Sequence, residues 1–163
     1  MLRNAYHALV VRFACTGLGS WMVLNVFNRV DRWLIRWSKG AINSSSGTHF
    51  NTALLRSRGA RSGKLRETPL LATPLGEQFV LIASATGQRK NPAWYYNLKA
   101  NPECSLLIHP HGEVDCVAHE AAGEERNRAW AAANALYSGY ESYQEKTERR
   151  IAVMVLSRSG NDG

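Results

Sequence analysis

TALLRSRGARSGKLRETPLLATPLGEQFVLIAS, residues 52–84, decides the fold class. Thr52–Ser57, Leu65–Thr73 and Gln78–Ser84 are short apolar or alternating runs. The segments between them, Gly59–Lys64 and Pro74–Glu77, hold the glycine and proline of turns, so the stretch predicts a β-meander. Downstream, Glu103–His109 and Glu113–Glu120 predict two further strands turning at Pro110-His111-Gly112. An alanine-rich helix is expected from about Glu124 to Leu136, and Ile151–Leu156 predicts a last strand. Strands dominate without regular strand–helix alternation, which argues against a doubly wound parallel sheet. The expected class is mainly β with inserted helices, a small antiparallel barrel.

Set into this pattern is Lys90–Pro102 (Lys-Asn-Pro-Ala-Trp-Tyr-Tyr-Asn-Leu-Lys-Ala-Asn-Pro). Asn91 is expected to cap a helix whose first residue is Pro92, because proline lacks the donor that would go unpaired there. Asn101-Pro102 stops the helix after about two turns. So short a helix needs packing to hold it, and its positive end aims at the preceding Ala83-Ser84-Ala85-Thr86-Gly87. That run of small residues predicts a bed for a flat or anionic ligand. From the residues alone, Trp94, Tyr95 and Tyr96 face such a ligand or fill a core.

The 163 residues fit one domain with an appendage, divided here as a helical arm and linker, 1–47, and a barrel domain, 48–163. Three cysteines without Cys-x-x-Cys spacing suit free thiols in a reducing compartment, so a cytoplasmic protein is expected. The net charge is +7, but residues 1–40 hold six Arg and Lys against the single Asp31. Basicity concentrated in an arm, with no recognised nucleic-acid signature, argues against a nucleic-acid partner.

In that arm Val23, Val26, Phe27, Val30, Trp33, Leu34 and Trp37 recur at helical spacing, opposite Arg29, Arg32, Arg36 and Lys39. A tryptophan face beside a basic face suits a helix lying on an anionic membrane; docking on the domain or on a second copy, as a homodimer, is the alternative. The longest uncharged stretch, Phe13–Asn28, is too short and too rich in Gly, Ser and Asn for a transmembrane span. No cleavage pattern supports a signal peptide, and Ala41–Gly47 reads as a linker.

Arg56, Arg58, Arg61, Lys64 and Arg66 crowd around the glycine-bounded hairpin, a pattern suited to clamping a phosphate or carboxylate or to a solvated basic turn. His109, His111 and His119 with Cys104 and Cys116 match no familiar ligand spacing, so no metal is expected. The chain lacks Gly-x-Ser-x-Gly, P-loop, His-Glu-x-x-His and Gly-x-Gly-x-x-Gly motifs. Tyr137, Tyr140 and Tyr143 recur every third residue and share roughly one helix face, as packing residues or as phenolic donors.

Gly59-Ala60-Arg61-Ser62-Gly63-Lys64-Leu65-Arg66, Thr68-Pro69-Leu70, Ala83-Ser84 and the block Asn91–Pro102, in this order, resemble the deazaflavin-dependent nitroreductase family, in its quinone reductase branch. The resemblance covers about residues 50–157. It implies a split β-barrel of the FMN-binding type that holds coenzyme F420 and reduces a small electrophile, a quinone, enone or nitroaromatic. It assigns Arg61 and Arg66 to the cofactor's phosphate and acidic tail. Pro69, Ser84, Asn91, Pro92, Trp94, Tyr95 and Asn97 would complete the cofactor groove, Tyr140 would orient or protonate substrate, and Tyr137 and Tyr143 would wall the pocket. Ala60 and Ala85 stand where relatives carry cations, and Arg58, Arg89 or Lys90 are expected to compensate. FMN is the alternative cofactor, and a non-catalytic cofactor carrier the alternative function.

Overall fold

A computed structural model describes residues 28–38 and 52–160. The elements run α1 (Asn28–Trp37), β1 (Thr52–Arg58), β2 (Leu65–Leu71), β3 (Thr73–Leu75), β4 (Gln78–Ile82), a one-turn 3-10 segment at Ala85–Gly87, α2 (Ala93–Ala100), β5 (Glu103–Ile108), β6 (Gly112–Glu120), α3 (Gly123–Leu136), α4 (Gly139–Glu145) and β7 (Val153–Arg158).

All strand pairs are antiparallel, in the order β2-β1-β5-β6-β7-β4-β3. The two ends of that order are consecutive in the chain, separated only by Ala72, which is fully buried. One bent strand therefore pairs with β1 along its first half, Leu54 opposite Pro69, and with β4 along its second, Leu75 opposite Gln78. This closes the sheet into the expected barrel, but not as a simple meander: β4, paired with β3 on one side, takes β7 on the other instead of β5, the next strand in sequence. Pro74 and Leu75, expected in a turn, lie in β3; the turn is only Gly76-Glu77, with Gly76 at φ 59°, where glycine avoids the Cβ clash.

Alternation along the strands sorts the core into an inside and an outside. Inside, Ala53, Leu55, Phe79, Leu81, Leu106, Ile108, Cys116, Met154 and Leu156 pack together, and α2 plugs them with Trp94 and Leu98. On the outer face Val80, Ile82, Val153 and Val155 are covered by α3 and α4, through Ala129, Ala133, Tyr137, Tyr140 and Tyr143. A third cluster, Ile35 with Leu54 and Leu107, seats α1 on the outside of β1 and β5.

The seating of α1 corrects the expected helix face. The helix docks through Asp31 and Ile35, both buried, and through an Arg36–Glu67 ion pair at 3.5 Å. Val30, Trp33 and Trp37, read as the apolar face, are exposed at 45, 65 and 69%, with the two indoles stacked at 6.0 Å. Ile35 fills the space between Leu54 and Leu107, and Arg36 beside it reaches Glu67 of β2. The expected helix before Asn28 and the linker Ala41–Gly47 lie outside the described residues, as does the boundary between arm and barrel domain.

Candidate functional site

Strand β4 delivers Ala83 and Ser84 into a turn of unusual backbone. Ala85 and Thr86 have φ of 45° and 53°, the two non-glycine residues with positive φ among those described, and Gly87 follows at 84°. A left-handed non-glycine residue costs about 1–2 kcal/mol, and such strain concentrates at ligand sites. The turn is held from two sides. A Cβ at Gly87 would stand 2.9 Å from Tyr143 O and from Lys146 Cβ, so the backbone lies directly on α4 and only glycine fits. Arg149 spans the other side: it donates to Ala83 O and Ser84 O at 2.9 Å each, to Gln88 O at 2.8 Å and to Asn91 Oδ1 at 2.6 Å.

That last bond corrects the expected helix start. Pro92, not Asn91, is the N-cap of α2, in extended backbone at ψ 155°, and no side chain caps the helix. The Asn91 oxygen goes instead to a charged donor, which competes better than a neutral N–H. The C-terminal boundary is as expected: Asn101 is extended, and its N–H closes the helix on Asn97 O.

The short helix carries different work on each side. Trp94 is buried among the barrel residues, whereas Tyr96 is half exposed and meets Tyr95 edge-on at 5.2 Å. The Tyr95 hydroxyl donates to Glu120 Oε2 at 2.9 Å, and Lys99 donates to the same oxygen at 3.0 Å. Burial, then Glu120, pushes the Tyr95 phenol up to about 12, so it stays a donor. Asn97 accepts from the Ala60 N–H at 3.0 Å, and Asn101 donates to Arg58 O at 3.5 Å. The basic hairpin is thus fixed to the C-terminal half of α2 and the strained turn to its N-terminal side. Within α2, four residues of helical rise separate Ala93 from Asn97, about 6 Å.

The hairpin closes through Gly59 N–H to Lys64 O at 2.9 Å and Gly63 N–H to Gly59 O at 2.8 Å. Arg61 and Arg66 are exposed, and Pro69 is buried on β2. Arg58, Arg61, Lys64, Arg66, Arg89 and Lys90 make no ion pair among the described residues, while Arg36, Arg56, Lys99 and Arg158 each meet a glutamate. Cations left without counter-charge beside glycine-rich backbone are equipped to take an anion.

The three tyrosines lie on the other side of the turn, in the outer core. The Tyr137 and Tyr143 hydroxyls are 2.9 Å apart, and Tyr140 meets Tyr137 edge-on at 5.0 Å and tilts toward Trp130 at 6.3 Å. Burial drives the Tyr140 phenol well above the usual tyrosine range, so it holds its proton at any physiological pH. The structure therefore gathers Ser84 and Asn91 at Arg149, sets Pro92 at the start of α2, plants Trp94 in the barrel, ties Asn97 to the hairpin and turns Tyr95 to Glu120. Burial also pushes the Cys104 thiol up to about 12 and Cys116 up to about 11, so neither is a ready thiolate. Among the described residues no group of His, Cys, Asp and Glu is placed to hold a metal ion. A separate open groove of about 470 Å³, lined by Arg126, Trp130, Glu141, Gln144, Glu145 and Arg150, contains none of the expected site residues.

Arg149 is the residue that sequence reasoning missed. It sits in Glu148-Arg149-Arg150, a charged run that reads as solvated surface, and no spacing sets it apart from Arg150.

Comparison with known proteins supplies the context for this arrangement. Rv3178 of Mycobacterium tuberculosis, whose name refers to F420H(2)-dependent quinone reduction, is 38% identical over 106 residues, 64% of this chain and 87% of the relative. A solved F420-H2-dependent reductase, FDR-A, is 37% identical with a TM-score of 0.58, covering 65% of this chain and 93% of the other. A structure described as a domain-swapped dimer has the same identity and TM-score and is covered over 79% of its length. The family model described as F420H(2)-dependent quinone reductase matches residues 28–158, from α1 through the last strand, and the chain belongs to that family.

Proposed function

We propose that this protein transfers hydride from reduced coenzyme F420 to a quinone, with enones and nitroaromatics as related acceptors. The observation that carries the reading is the pairing, across one short helix, of a strained small-residue turn with a hairpin whose Arg58, Arg61, Lys64 and Arg66 make no ion pair among the described residues. The residues suit this cofactor chemically: a polyanionic tail needs cations without counter-charge, and a flat ring needs a bed free of large side chains. When bound, the deazaflavin supplies hydride from C5 of its ring. Arg61 and Arg66 would hold phosphate and tail, with Arg58, Arg89 or Lys90 standing in for the cations absent at Ala60 and Ala85. Ser84, Asn91, Pro92, Trp94 and Asn97 would line ring and side chain. Pro69 and Tyr95 would shape the groove from behind, Tyr95 through its bond to Glu120. Fixing distance and angle while keeping out water is the protein's share of the catalysis.

For substrate we assign Tyr140 the role of orienting or protonating the reduced oxygen, between Tyr137 and Tyr143 as walls. The geometry supports this choice among the three phenols: Tyr137 and Tyr143 engage each other, and the Tyr140 hydroxyl has no hydrogen bond among the described residues. Purified protein is expected to bind F420 at micromolar concentration, more tightly than FMN, and to oxidise the reduced form with menadione. Preference for FMN, or tight binding without turnover across a panel of electrophiles, would replace this reading by a flavin reductase or a carrier.

We further propose that the exposed Trp33–Trp37 ridge, with Arg32 beside it, rests peripherally on an anionic membrane on the cytoplasmic side. No helix among the described residues is long and apolar enough to cross a membrane. Flotation with anionic vesicles tests the contact, and sedimentation with and without vesicles tells it from homodimer formation.

A further inference from the structure

Arg149 forms no ion pair among the described residues, yet its guanidinium is engaged at four acceptors. Two of them, Ala83 O and Ser84 O, precede the left-handed turn; Gln88 O follows it directly; Asn91 Oδ1 stands at the entry to α2. One planar group therefore grips both ends of a strained turn and the residue that leads into the helix. Arginine is itself braced. Gln144 of α4 donates to Thr147 O at 3.3 Å and to Arg149 O at 2.8 Å and accepts from Ile151 N–H at 2.9 Å, which fixes the backbone on both sides of it.

The chemistry of the group sets the orientation of its fourth partner. A guanidinium has donors only, so the Asn91 amide must turn its oxygen to it. The two N–H donors of Asn91 Nδ2 are then left for something else, and they have no partner among the described residues. A site so arranged takes an acceptor, a carbonyl-type oxygen or a ring nitrogen lone pair, and disfavours a donor at that point.

We propose that Arg149 is a positioning residue of the cofactor site: it holds Ala85-Thr86-Gly87 in its left-handed form and orients Asn91 to present its amide N–H groups to a carbonyl-type acceptor on the bound ring. The proposal rests on reading the turn as the cofactor bed.

The test combines equilibrium binding of F420, steady-state kinetics and backbone amide exchange on R149M, R149K and N91D. Losing the fork should raise Kd for F420 by about tenfold or more in R149M, and nearly as much in R149K, since one ammonium cannot span four acceptors. KM for the reduced cofactor should rise in parallel while kcat at saturating cofactor stays within about twofold, as expected when only ground-state positioning is lost. Without ligand, amides 85–91 should lose protection in both Arg149 variants while β1 and β5 keep theirs. N91D keeps an acceptor for Arg149, so the turn should stay protected, but it lacks the outward donor and F420 binding should weaken. R149K serves for every arm if R149M does not fold. Unchanged binding and exchange in the Arg149 variants, protection lost equally from all strands, or N91D binding F420 as tightly as the parent protein would overturn the proposal. If the parent protein binds no F420, the cofactor reading fails, and the exchange arm still decides whether Arg149 holds the turn.

Discussion

Asn97 accepts a hydrogen bond from the backbone N–H of Ala60 at 3.0 Å, and this contact latches the basic hairpin to the helix that bears Trp94. Ala60 thus contributes its backbone rather than a side chain. Asn97→Ala should release the hairpin and weaken F420 binding by about fivefold to tenfold, in keeping with one lost hydrogen bond. Thermal stability should change little. Equal affinity in a fluorescence titration would show that the latch plays no part in binding.

Arg61 and Arg66 are exposed and have no counter-charge among the described residues, so on the proposed reading their contribution to cofactor binding is electrostatic and screened by salt. R61A and R66A should each weaken cofactor binding at low ionic strength, and the deficit should shrink as salt is added. A deficit independent of salt would point to loss of shape rather than of charge.

Gly87 carries φ 84°, and a Cβ there would press on Tyr143 O and Lys146 Cβ. Gly87→Ala combines backbone strain with a backbone clash, so the protein should lose about 2–3 kcal/mol in denaturant melts. A neutral effect would mean that α4 does not lie against the turn in solution.

Glu113 bonds to Arg56 and Ser105, and these contacts hold its carboxyl below the ordinary value of 4.5. A depressed carboxylate stabilises the fold above its unfolded pKa, and that stabilisation is lost as pH falls through the folded value. Glu113→Gln should therefore melt earlier than the parent near neutral pH, with the gap closing as the pH is lowered through the folded-state value. A gap that widens on acidification would contradict the assignment.

Tyr140 is buried and protonated. Tyr140→Phe keeps the ring packing and removes the hydroxyl, so folding should be retained while turnover with menadione falls by about tenfold to a hundredfold. Full turnover would remove Tyr140 from the mechanism and leave the reductase intact.

Much of this was legible in the chain. The strands β1, β2, β5 and β6 and the helix at Gly123–Leu136 follow from alternation, alanine content and turn residues, each of which is a local signal. The halt of α2 at Asn101-Pro102 is equally local. What escaped depends on partners distant in sequence. The N-terminal pattern of α2 pointed to Asn91 as a cap, but a charged donor 58 residues away takes its oxygen. The tryptophans of α1 drew the apolar face by their size and spacing, but Ile35 is the side chain that finds Leu54 and Leu107. The candidate residues on the hairpin and in Ala83–Asn91 stand out by composition; their mutual placement required the barrel to close.

The division of the site along α2 also bears on the rates of ligand exchange. Exposed cations at the hairpin act over a Debye length and set how often an anionic ligand arrives. The clamped turn at the other end acts only at contact, so it sets how long the ligand stays. On the proposed reading, capture and residence are thereby governed by separate stretches of chain, the hairpin and the clamped turn.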